Sequence, residues 1–459
     1  MVLVSVLVDY LKKLWRALEQ EDGAQLEACL SKDLNAIPMG ETMIYTDFSH
    51  ADIDAVCPTG EGRRGSAPPA VRSIGNHMLH YLLYTYLLKK DKKKAFQHYR
   101  GAYRVFVESN AFLASRTERF AWLLRTLVSM SRGVKTLADE TDIDDQKAQD
   151  DVTSLFKTAV SACIRDRTQD PAESKRQMAV YMAVILFKHC FKINSLNPCK
   201  DIMWVLRSGR GDVEKLACRA DIVAFLYFEG LILMRSAIND PAQRAEAERK
   251  LTRALKECHR AARGNRRRIL ANLIPLRMQM GCLPKRALLI KYDLLIFDYF
   301  CDAIRRGDLG LFSLLMKQHE HALDMVGIRL HLEDCRLLVY RRALRKISKA
   351  TELSHILPLQ DIKLGFYFSG HEFDGDAQEH RKSLEGNLSQ DDEQEQEIYR
   401  DDQMKGILAR LVAKGVINGV IRTAPETFLQ LSQKNPFPPL PGTSKHQQHT
   451  SRAVAFAMN

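Results

Sequence analysis

From residue 74 to about 350, apolar residues recur every three to four positions, in runs of 12–20 residues separated by short breaks. "IGNHMLHYLLYTYLLKK", "KAFQHYRGAYRVFVESNAFLA" and "RFAWLLRTLVSMSRGVKTLAD" are examples. Alternating apolar and polar positions, the mark of a half-buried strand, are nearly absent from this stretch. Consecutive amphipathic helices joined by short breaks can bury their apolar stripes only by packing on one another. The pattern therefore predicts an all-α chain built from degenerate, TPR-like helical repeats stacked as a solenoid. Such a stack offers broad concave and lateral surfaces but no catalytic pocket by default.

The flanking regions read differently. An opening helix is expected at "VDYLKKLWRALEQEDGAQLEACLS", with Leu11, Leu14, Trp15 and Leu18 on one stripe. Residues 36–72 lose periodicity and gather Gly and Pro, as a loop does. Beyond 350, "DDQMKGILARLVAKG" places Met404, Ile407, Leu408, Leu411 and Val412 on one helical face. Asp401 and Asp402 are suited to cap its start and Gly415 to end it. Residues 369–400 read as a flexible acidic insert. Val416–Arg422 and Thr427–Leu431 read as two strands of a hairpin, with Gly419 in mid-strand where a β-branched residue would be usual. Helices followed by a two-stranded wing make a winged helix. The division expected is helical repeats over 1–215, further helices over 216–350, a winged helix over 351–440 and a flexible tail over 441–459.

No chemistry-bearing motif stands out. There is no P-loop, no GxGxxG after a strand, no GxSxG and no HExxH. "HEH" at 319–321 sets its histidines on different helix faces, which is poor zinc geometry. The RGD triplet at 210–212 reads as a loop. The ten cysteines are scattered, without a CxxC pair, and read as buried thiols of a reducing compartment. No apolar run is long enough to span a bilayer. We expect no enzyme, metal, cofactor or membrane insertion.

Charge is the informative feature. The chain carries a net +12, unevenly placed. Residues 250–350 hold 22 Lys/Arg against 9 Asp/Glu, residues 370–402 hold 3 against 12, and residues 403–459 hold 7 against 1. Within "DCRLLVYRRALRKISKA", Leu337, Tyr340, Leu344 and Ile347 share one helical face. Arg341, Arg342, Arg345, Lys346 and Lys349 fall mainly opposite. Lys405, Arg410, Lys414, Arg422 and Lys434 follow in the winged helix. Cations at one-turn spacing can follow a phosphate backbone, or can simply be a solvated face. Arg266, Arg267 and Arg268 lie at the start of an apolar helix, where they oppose its dipole. They suit an acidic partner or acidic groups elsewhere in the chain. "NPFPPL" at 435–440 is proline-stiffened around Phe437. It is expected to pack back on the domain or to anchor on a partner subunit.

Helical repeats running into a C-terminal winged helix resemble the PCI domain, shared by subunits of the proteasome lid, the signalosome and a translation initiation factor. "CDAIRRGDLGLFSLLMKQHE", with Gly307-Asp308 opening a new helix, supports the likeness. "LFKHCFKINSLNPCKDIMWVL", "NRRRILANLIPLRMQMGCLP", "ILARLVAKGVINGVI" and "QKNPFPPL" are similar to the branch of the family found in the nuclear-pore transcription–export complex. The resemblance implies a non-catalytic subunit in the nucleus and at its pores, with the cytoplasm as a second location. It implies pairing with a larger PCI-type export scaffold and with a small, acidic, disordered protein that clamps the repeats. It also implies binding of RNA or DNA in support of mRNA export. The alternative it leaves open is a structural PCI subunit of a lid- or signalosome-like assembly that binds no nucleic acid.

Overall fold

A computed structural model describes residues 13, 16, 17, 20, 22–30, 91–113, 123–140, 146–208, 212–236, 240–351, 355–370, 390–423 and 426–440. The apolar stripe of the opening helix, the loop at 36–72, the helical pattern over 74–90, Arg210 and Gly211 of the RGD triplet, the insert over 371–389 and the tail over 441–459 lie outside these residues. The chain forms two compact units, residues 1–232 and 233–459, and their boundary falls inside a helix.

The first unit holds α1 (Gly23–Leu30), α2 (Lys92–Val107), α3 (Leu124–Glu140), α4 (Gln146–Arg165), α5 (Ala179–Lys192), α6 (Asn197–Ser208) and most of α7 (Arg219–Ser236). The helices start where the sequence supplies caps. Asp91 accepts from the backbone N–H of Lys93 and Lys94 ahead of α2, satisfying donors that have no partner within the helix. Helix α5 is apolar on most sides and is buried between its neighbours. Leu186, Phe187 and Cys190 are wholly inaccessible, as a helix without a polar face must be.

The second unit continues with α8 (Pro241–Glu257), α9 (Arg263–Gln279), α10 (Arg286–Lys291), α11 (Ile296–Arg306), α12 (Leu309–Gln318), α13 (Glu320–Val326) and α14 (Arg329–Ala350). Gly307 ends α11 in the left-handed region, and Asp308 caps α12 through the N–H of Leu311. Helix α14 is the hub, packing on α9, α11, α12 and α15 (Leu359–Phe368). Leu338 and Val339 are buried beside the predicted stripe of Leu337, Tyr340 and Leu344. The exposed face of α14 is therefore narrower than the sequence pattern implied.

The chain closes with β1 (Ile356–Pro358), α15, α16 (Gln390–Ala413), β2 (Gly419–Arg422) and β3 (Phe428–Leu431). The strands form one antiparallel sheet in the order β1-β3-β2, with Leu357 opposite Leu429 and Ile421 opposite Leu429 on the other side. Helix α14, β1, α15, α16, β2 and β3 thus follow the order of a winged helix, and the module reaches back to Arg329.

Three expectations are corrected. The sheet has three strands and not two, because "ILP" at 356–358, too short to show a pattern, pairs with β3. Helix α16 begins at Gln390, inside the segment expected to be a flexible acidic loop. Asp401 and Asp402 consequently sit in mid-helix, where they pair with Lys363 and Lys405 and cap nothing. The other end of α16 is as expected. Gly415 has φ +64, its N–H bonds Val412 O, and the N–H of Val416 bonds Leu411 O, a left-handed helix stop. Gly419 is required for a different reason. A Cβ there would stand 2.7 Å from Gln430 O across the ladder.

Candidate nucleic-acid interface

Asp334, Leu338, Arg341 and Arg345 are spaced i, i+4, i+7 and i+11 along α14 and so share one stripe. Arg342, Lys346 and Lys349 form a second stripe beside it. The structure gives these cations three different environments.

At the N-terminal end of the stripe, Asp334 is the meeting point of distant segments. Arg410 Nη2 lies 2.7 Å and Lys414 Nζ 3.1 Å from its carboxylate, and Arg244 Nη2 of α8 lies 3.7 Å away. The Asp334 side chain is only 9% exposed, whereas Arg410 is 53% exposed. Three cations thus meet around one carboxylate at the junction of α8, α14 and α16. Arg410 and Lys414 were recognisable as exposed cations. Arg244 and Asp334 were not, because nothing in the local sequence joins positions so far apart.

In the middle of α14, two of the expected phosphate ligands hold the chain's own backbone. Arg342 Nε donates to Arg305 O at 3.0 Å, meeting a carbonyl at the negative end of α11. Arg341 Nη2 donates to Pro438 O at 2.6 Å. Burial, with Arg345 nearby, pushes the Arg341 guanidinium below its ordinary pKa. Toward the C-terminal end, Arg345, Lys346 and Lys349 are exposed. Arg422 is exposed on β2, Lys434 is exposed after β3, and the half-buried Lys405 pairs with Asp402 at 3.1 Å.

The structure thus brings together Arg341, Arg342 and Arg345 as one group, and Arg410 and Lys414 as another.

The expected partner-binding residues also divide. Arg266 is turned inward, which corrects the expectation that it faces an acidic partner. It is 3% exposed; its Nε bonds Tyr292 Oη at 2.9 Å, and its Nη1 bonds Leu255 O and Cys258 O. These carbonyls lie at the end of α8, so a cation poorly placed for its own helix dipole serves the end of the preceding helix. Arg267 contacts Tyr292 O, Asp293 O and the Asp293 carboxylate, while Arg268 is exposed. Phe437 is half-buried within a tail that packs back on its own domain.

Among the described residues, no group of three or more His, Cys, Asp or Glu could hold a metal, and no helix is long and apolar enough to cross a membrane. The cysteines among them are free thiols, most of them buried.

Helices ending in this winged helix resemble the layout of a PCI-domain scaffold, and the chain is similar to relatives named for that domain. The chain is 28% identical over 299 residues to PCI domain-containing protein 2 of Danio rerio, covering 65% of each chain, just under two thirds of that protein's length. It is 28% identical over 338 residues to Enhanced ethylene response protein 5 of Arabidopsis thaliana, covering 73% of this chain and 75% of that one. It is 30% identical over 217 residues to Protein CSN12 homolog of Neurospora crassa, covering 46% of each. No family model matches the chain. The chain is a relative of these proteins, which indicate a PCI-domain scaffold subunit.

Proposed function

We propose that the protein is a non-catalytic scaffold subunit that pairs with a larger PCI-type protein and holds RNA or DNA, in support of mRNA export from the nucleus. The observation that carries the nucleic-acid part is the exposure of Arg345, Lys346 and Lys349 on α14, with Arg422 and Lys434 of the wing exposed as well. Contacts from such cations are to phosphates, so binding would be additive, salt-dependent and weakly selective for sequence. Arg267 and Arg268 are the side chains of the 266–268 run that remain available to an acidic partner. Phe437 stays a candidate contact for a partner subunit. The reading also places the protein in the nucleus and at its pores, with the cytoplasm as a second location.

A second reading is favoured by a specific observation: Arg341, Arg342, Arg410 and Lys414 are all engaged within the molecule. A purely structural PCI subunit would use its cations this way.

Anisotropy of a fluorescein-labelled single-stranded RNA, titrated with the full chain at several salt concentrations, separates the two. Binding that weakens steeply with salt supports the proposal, and its absence at low salt sinks it. Affinity capture of the tagged chain from nuclear extract, followed by mass spectrometry, is expected to return a larger PCI protein and a small acidic one. Imaging of the same tagged chain is expected to show nuclear and nuclear-rim signal.

A further inference from the structure

The segment that follows β3 turns back across the winged helix. Asn418, just ahead of β2, donates its backbone N–H to Pro436 O and its side-chain amide to Asn435 O, each at 2.9 Å. Pro438 O then accepts from Arg341. Leu440 closes a hollow walled by Gly281, Leu283, Ile304 and Leu338, with Arg342 and Arg345 also lining it. It packs so near Gly281 that a Cβ there would stand 2.6 Å from Leu440 Cδ1. Residues 435–440 therefore lie over the middle of the basic stripe.

The fit is good for the chain and poor for the cation. A guanidinium offers five N–H donors and matches the paired oxygens of a phosphate or carboxylate. Here Arg341 receives one backbone carbonyl, its Nε is buried without a partner, and among the described residues no carboxylate pairs with it. Next to it stands Arg345, a second positive charge. Among the described residues, the bonds from Asn418 and Arg341 and the packing of Leu440 hold the strap in place. Its prolines keep it extended, so little conformational entropy changes hands when it docks or lifts.

We propose that residues 435–440 are a displaceable strap that competes with a polyanion for Arg341 and Arg345. The proposal rests on the nucleic-acid reading above. A nucleic acid reaching α14 would lift the strap and replace one neutral carbonyl with phosphate oxygens at both arginines. A docked strap keeps the stripe at partial strength.

The test uses the full chain and two loosened variants, Leu440→Ser and Pro438→Gly/Leu440→Ser, and reads two quantities. Hydrogen exchange at the Asn418 amide, which bonds Pro436 O, reports strap docking directly. Anisotropy of the labelled single-stranded RNA reports affinity. Exchange should quicken in at least the double variant, and RNA affinity should rise about three- to tenfold, the scale of one or two regained phosphate contacts. Arg341→Ala in the loosened background should remove that gain. Faster exchange with unchanged RNA affinity overturns the strap and leaves the nucleic-acid reading standing. Exchange that stays slow in both variants also overturns it, since a displaceable strap should loosen when its proline and its leucine anchor are removed. No RNA binding by any of the proteins overturns the nucleic-acid reading and the strap with it.

Discussion

Arg266 and Arg345 both come from arginine-rich runs, yet they meet opposite surroundings. Arg266 joins the end of α8 to Tyr292 through three hydrogen bonds in a buried site. Arg345 is exposed. Replacement of Arg266 by lysine keeps the charge but cannot reproduce the planar fork. It should cost about 2–3 kcal/mol, the range for buried hydrogen bonds to a charged group. Chemical denaturation of the variant checks this, and a midpoint equal to the parent's would mean the site tolerates a point charge. Gly415 gives a second residue-scale prediction. Nothing lies within 4 Å of a Cβ built there, so the cost of Gly415→Val is backbone strain alone at φ +64. About 1–2 kcal/mol is expected, visible as a lower melting temperature. This position was legible in the sequence, because a glycine after the last apolar position of a helix is a local signal. The role of Arg266 was not, because the carbonyls it reaches belong to another helix.

At the scale of elements, the sequence predicts α14 as a helix with a basic face, and it is one. The sequence could not say which of its cations are free. Leu338 and Val339 are buried by neighbours that the pattern along α14 does not reveal, so the helix is sunk deeper than its stripe suggests. Arg341 and Arg342 are drawn into backbone contacts as a result. Charge reversal across the whole basic surface would therefore mix binding with stability. Arg345→Glu/Lys346→Glu/Lys349→Glu is the cleaner experiment. It should leave the circular dichroism unchanged and weaken RNA binding. Each lost contact should also flatten the log–log salt slope by about 0.7. A folded triple variant that binds as tightly as the parent would make the row a solvated face. Arg410→Glu/Lys414→Glu, by contrast, should destabilise the fold, because two carboxylates would then face Asp334.

The molecule as a whole carries buried histidines in both units. His189 and His331 are each pushed below the ordinary histidine pKa, first by burial, with Arg244 adding to the effect at His331. Both therefore take up protons less readily in the folded chain than in the unfolded chain, which does so as pH falls below about 6.5. Stability from keeping them neutral is complete above that pH and is lost progressively as pH falls through it. The urea midpoint should be lower at pH 5.5 than at 7.5, with a smaller difference in His189→Gln/His331→Gln. A difference of the same size in that variant would assign the effect to other groups.

The sequence by itself determined the helical class, the winged end and the left-handed stop at Gly415. Each of these is written in spacings of a few residues, where backbone geometry dictates which side chains share a face. Tertiary structure alone decided the third strand at 356–358, the inward turn of Arg266 and the meeting of Arg244, Arg410 and Lys414 at Asp334. It also decided the course of residues 435–440 over Arg341. In each of these a group finds its partner far along the chain. A polar or charged group entering the interior must take whatever acceptor the packed helices present, and that choice exists only once they have packed.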